Sequence, residues 1–187
     1  SVGFEMYSQL LEEAINKRQG KTQVRRKGNA EFNLQIDAYL PSDYISDERQ
    51  KIEIYKRIRE IENQKDYQDL QDELNDRFGE YPDQVAYLIE IGLVKAYLDA
   101  AFAELVERKN DTIIVRFEKA SLKFFLTQDY FEAISKTHLK AKISDNQGKV
   151  EITFDVRNKK DYEILEELKV FGQTFMEIKE RKEKKEA

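Results

Sequence analysis

Residues 72–84 read DELNDRFGEYPDQ, a stretch holding five carboxylates, an Arg, a Phe, a Gly and one of the chain's two prolines. Its punctuation marks a corner between two helices. Gly79 supplies the C-terminal stop of one, and Pro82 pre-sets the first turn of the next. Upstream, Tyr67, Leu70, Leu74 and Phe78 recur at helical spacing and predict a helix over about 66–78 that buries this stripe. Downstream, Val85, Leu88, Ile89, Ala96 and Ala100 predict the longest helix, from Pro82 to about Glu107.

Working outward, Phe4, Tyr7, Leu10, Leu11, Ala14 and Ile15 predict an amphipathic helix over 4–18. It runs out into NKRQGKTQVRRKGN (16–29), which holds six basic residues from Lys17 to Lys27 and reads as a linker. EFNLQIDAYL (31–40) alternates Phe32, Leu34, Ile36 and Ala38 inward as a half-buried strand. Ser46 or Asp47 can cap the helix that follows, whose face carries Ile52, Tyr55, Ile58 and Ile61. From Thr112 the period changes to two. TIIVRF is apolar on both faces and reads as a central strand, LKFFL as a candidate second, and QDYFEAISK as a short helix. LKAKI and KVEITFDV flank SDNQG as a hairpin, with Val150, Ile152, Phe154 and Val156 inward. A long helix from about Lys160 follows, with Ile164, Leu168, Phe171, Phe175 and Ile178 in its stripe and a fraying tail. Helices first and a small sheet later predict an α+β fold: a helix-rich N-terminal half, a small, mostly antiparallel sheet and a long C-terminal helix.

Composition narrows the chemistry. Charged residues make up 37% of the chain, yet the net charge is only −5, so no global attraction to nucleic acid or anionic lipid follows. Without Cys there are no disulfides or thiolate sites, and one histidine, His138, precludes a His-based zinc site. No phosphate-cradling glycine motif occurs, and a calcium loop counted from Asp72 fails, with Leu74 at position three and Arg77 at position six. His138 reads as a helix end and Asn110 as a turn. No catalytic, cofactor-binding or metal-ligating residue is expected. No apolar run approaches the ~20 residues that span a bilayer, so no membrane partner is expected. The chain opens without Met in a helix already under way, which reads as a piece of a longer cytoplasmic protein.

One pattern remains. At 100° per residue, Asp66, Asp69, Glu73 and Asp76 share an arc roughly 135° from the buried stripe, with Asp72 beside them. No Lys or Arg lies within this arc, and Arg77 sits at its border. Like charges three and four apart cost about 0.2–0.5 kcal/mol per pair. The helix dipole favours Asp66 and Asp69 near the N-terminus, but not Glu73 and Asp76 near the other end. A local rule broken without local gain marks a candidate functional face, here for a basic partner whose Arg forks grip carboxylates. The alternative is an ordinary solvated face. A second candidate is Lys17, Arg18, Lys21, Arg25, Arg26 and Lys27, which could contact a phosphate backbone without base specificity, or form a plain flexible linker.

GFEMYSQLLEEAI, then LQIDAYLPSDYISDERQKIEIYKRI, then ELNDRFGEYPD, in this order, resemble the C-terminal part of bacterial transcription-repair coupling factors. The resemblance implies that residues 1–28 are a helix and basic linker following a translocase motor, and that 29–187 form a C-terminal regulatory domain. It implies a parent that is an ATP-driven double-stranded DNA translocase, with ATP and Mg in a motor outside this chain. That parent would displace stalled RNA polymerase and recruit UvrA. The terminal domain would perform no chemistry. It would dock on a UvrB-like N-terminal module, mask the UvrA-binding surface and restrain the motor until polymerase and DNA release it. Carried over by motif, the docking latch is Glu73 and Asp76, flanked by Asp69 and Asp72. The alternative reading is a DNA-binding appendage acting through the basic linker.

Overall fold

The computed structural model describes residues 30–186, which divide into two compact units. The first spans residues 35–93; the second comprises 30–34 and 94–186. The helix over 4–18 and the six basic linker residues lie outside the described residues.

In the first unit, α1 (Glu48–Arg59) is capped by Asp47, whose carboxylate accepts from the Arg49 and Gln50 amides. Tyr55, Ile58 and Ile61 of the predicted stripe are buried, joined by Lys51 and Ile54, while Ile52 faces solvent. Helix α2 (Gln64–Phe78) starts at Asn63 and stops at Gly79, whose φ of 84° only glycine adopts without strain. It buries Leu70 and Leu74, with Tyr67 and Phe78 only half covered. Helix α3 (Asp83–Ala100) begins immediately after Pro82, whose carbonyl accepts from the Val85 and Ala86 amides. Gly92 lets α1 lie against α3, because a Cβ there would come within 2.9 Å of Ile58 Cγ2. These three helices therefore hold a fixed corner, and Arg57 sits on α1 one residue before that contact.

The second unit is built on a five-stranded sheet of order β1-β2-β3-β5-β4. Its strands are β1 (Glu31–Asn33), β2 (Ala103–Lys109), β3 (Thr112–Phe117), β4 (Ala141–Asn146) and β5 (Lys149–Asp155). Only β1 pairs parallel, with β2; the other ladders are antiparallel. Helices α4 (Thr127–Ser135) and α5 (Asp161–Glu186) complete it. Phe117, Phe125, Tyr130, Phe171 and Phe175 interlock with centroid separations of 5.0–6.4 Å, and Phe154 joins them through Phe171 at 5.0 Å. The α+β expectation therefore holds, and the sheet is mostly antiparallel as expected, with β1–β2 as its parallel pair.

Four sequence expectations fail for physical reasons. The strand over 31–40 keeps its alternating burial from Ala30 to Leu40, but its ladder ends at Asn33, just before Gln35 turns left-handed at φ 55°. The helix expected to reach Glu107 ends at Ala100. Phe102 reverses the chain at φ 66°, and pairing with β3 makes Ala103–Lys109 a strand despite its helix-prone composition. LKFFL forms no strand, since Lys119–Lys123 is a short 3-10 helix. The expected fraying tail is helical to Glu186, and Lys182 and Arg181 hold it to Asp129 and Glu132.

Candidate functional site

Helix α2 presents the acidic face. Asp66 belongs to its N-terminal cap: Asn63 Oδ1 accepts the Asp66 amide, and Asp66 in turn accepts the Glu62 amide. Asp69, Asp72 and Asp76 are exposed and make no ion pair among the described residues. These three carboxylates project from one rigid helix whose far end is also fixed. There, Tyr44 donates its hydroxyl to the carbonyls of Gly79 (2.8 Å) and Leu74 (3.2 Å), and its ring lies 5.9 Å from Phe78. Tyr67 donates to Glu90 at 2.6 Å, and Gln71 donates to Tyr67 and Tyr81, tying α2 to α3 and the turn before it.

Glu73 is different. No cation lies within its own arc on α2, but α1 supplies one. Arg57 Nη1 donates to both oxygens of Glu73, at 2.8 and 2.7 Å. Arg77 Nη1, one turn further along α2, donates to Oε2 at 3.1 Å and also to Glu53 Oε1 at 2.9 Å. The Glu73 side chain is only 30% exposed. Its carboxyl is held below the ordinary glutamate range, chiefly by the Arg57 hydrogen bond, against the opposing effect of burial. Arg77 is pushed up from its ordinary value, mainly by its bond to Glu53, and its guanidinium carbon lies 4.9 Å from the Phe78 ring centroid. Of the two expected latch residues, the structure thus leaves Asp76 free and places Glu73 in a clamp. The clamp joins YKRI to ELNDRFG, the two stretches that carried the resemblance. Helical periodicity could not reveal it, because a wheel drawn for one helix omits the neighbouring helix.

Elsewhere, His138 follows α4 instead of ending it, with Nδ1 3.0 Å from Glu167 Oε1. Among the described residues no cluster of His, Cys, Asp or Glu could hold a metal, and no helix is long and apolar enough to cross a membrane.

Comparison with known proteins gives this geometry a family. The model of the TRCF domain matches residues 34–128, just over half of the chain. The chain belongs to the TRCF domain family. The match covers all of α1 and α2 and runs into α4. The chain is 42% identical over 113 residues to the transcription-repair-coupling factor of Bacillus subtilis (strain 168), covering 60% of this chain and 10% of that protein. To that of Staphylococcus aureus (strain USA300) it is 34% identical over 159 residues, covering 84% and 14%. The chain thus spans about a tenth to a seventh of the length of these relatives. A crystal structure of the C-terminal domain of transcription-repair coupling factor superposes with a TM-score of 0.82 at 62% identity, covering 86% of this chain and 99% of that one. What this TRCF chain corresponds to is therefore the C-terminal domain of such a factor.

Proposed function

We propose that this domain is a non-catalytic, autoinhibitory interaction module. It docks on the UvrB-like module of its parent translocase and covers the surface that binds UvrA. The observation that carries this reading is the row of aspartates Asp69, Asp72 and Asp76 on α2, exposed and unpaired among the described residues. These carboxylates are spared by every internal cation that neutralises Glu73. A guanidinium fork approaching Asp76 meets an acceptor with its lone pairs available, and such charge-assisted contacts are short and directional. A rim pair contributes about 0–1 kcal/mol and a desolvated one several times more, so a few such contacts bias an equilibrium while leaving it reversible.

In the parent, ATP hydrolysis, DNA translocation and displacement of RNA polymerase would belong to segments outside this chain, and the domain would restrain them. The test is Asp76→Ala in the complete protein. Basal ATPase and UvrA binding should both rise, while the isolated domain keeps its helical circular dichroism. Unchanged ATPase and UvrA binding would overturn the reading.

A further inference from the structure

The Arg57–Glu73–Arg77–Glu53 network determines how the acidic face can take a basic partner. A carboxylate offers about four acceptor positions. Arg57 fills one on each oxygen of Glu73, and Arg77 fills another on Oε2. A bidentate guanidinium needs two, so a partner's fork fits on Glu73 only if one internal cation leaves. Arg57 has two short bonds to lose, at 2.8 and 2.7 Å. Arg77 has one longer bond to lose, and it keeps Glu53 at 2.9 Å and the Phe78 ring when it goes.

Resting on the docking reading above, we infer that Arg77 is the affinity-setting residue of this surface. Its guanidinium bridges Glu73 and Glu53 in the structure, which closes the face, and opens it by releasing Glu73 while keeping Glu53. With Arg77 on Glu73, a positive charge stands next to Asp76 and repels an incoming arginine. With Arg77 drawn to Glu53, Glu73 recovers an acceptor pair, and the face gains a fourth carboxylate beside Asp69, Asp72 and Asp76. Arg57 stays in place throughout and orients the Glu73 carboxylate from behind. The partner this fits is an arginine-bearing surface with at least two forks about one helical turn apart, matching the spacing of Glu73 and Asp76.

The test is a double-mutant cycle on binding of this 187-residue chain to the UvrB-like module, by calorimetry at low and high salt. Arg77→Gln should tighten binding about three- to tenfold at low salt, the gain shrinking as salt rises. Glu53→Gln should weaken it by a similar factor in the wild type, and by less than twofold when Arg77 is already Gln. Arg77→Lys, which keeps the charge, should stay within about twofold of wild type. Unchanged or weaker binding with Arg77→Gln overturns the inference, as does a Glu53→Gln effect of equal size in both backgrounds. Asp72→Lys/Asp76→Lys separates the two levels. If that reversal leaves wild-type binding intact, the docking reading itself fails. If it abolishes binding while Arg77→Gln changes nothing, only the role of Arg77 fails.

Discussion

Two carboxylate–cation pairs in this chain differ in what surrounds them. In the second unit, Asp129 is 3% exposed, accepts the Leu126 amide at the start of α4 at 2.8 Å, and pairs with Lys182 from α5. Beside it, Tyr130 and Ser121 share a buried hydrogen bond of 2.6 Å, and the aromatic cluster closes over them. In the first unit, Glu73 also meets cations, but from half-exposed positions on α1 and α2. A carboxylate that is buried and spoken for by both a cap and a lysine holds the fold together. One at the surface, shared by two arginines, can change partners at little cost. The difference in solvent access separates a structural ion pair from an adjustable one.

The contrast is sharpest in its energetics. Phe175 touches Phe117, Phe125, Tyr130 and Phe171, so Phe175→Ala should cost about 3–5 kcal/mol in urea unfolding, the largest effect of any substitution considered. Asp129→Ala removes a cap acceptor and one of two partners of Lys182, which keeps the Phe124 carbonyl at 3.1 Å, and should cost about 1–3 kcal/mol by the same measurement. Glu73→Ala should cost about 1 kcal/mol or less, with circular dichroism unchanged. A Glu73→Ala loss as large as that at Asp129 would erase the distinction.

Acid titration probes the same clamp. Because Glu73 has a folded-state pKa below its ordinary value near 4.5, folding stabilises its charged form. Its contribution is present above that ordinary value and is lost as pH falls through the lower folded one. Thermal melts from pH 6 to pH 3 should therefore show a smaller acid-side drop for Glu73→Gln than for wild type. The smallest effect on folding belongs to Asp76→Ala, within about 0.5 kcal/mol of wild type by urea unfolding, since its exposed side chain makes no ion pair among the described residues.

Much of this fold was legible in local patterns. The stripe of α5 from Ile164 to Ile178 is buried as its spacing predicts, and Gly79, Pro82 and Asp47 mark helix ends as their chemistry requires. The hairpin around SDNQG also forms, turning through Gln147 and Gly148 at positive φ. What failed depended on contacts distant in sequence. Strand β2 looks helical alone and is a strand because β3 and β1 pair with it. At the candidate site, Asp69, Asp72 and Asp76 were legible as an exposed acidic arc. The clamp on Glu73 was not, because Arg57 lies sixteen residues away on another helix. Tyr44 was missed for the same reason: nothing near PSDYI signals a bond to the far end of α2.

The central claim is that the free aspartates of α2 are a docking surface for a basic partner. Calorimetry of this chain with the UvrB-like module, at low and high salt, tests it beside the double reversal Asp72→Lys/Asp76→Lys. The account predicts binding that weakens steeply with salt and disappears in the reversed variant while its melting curve stays near wild type. Binding that survives the reversal undiminished would contradict it.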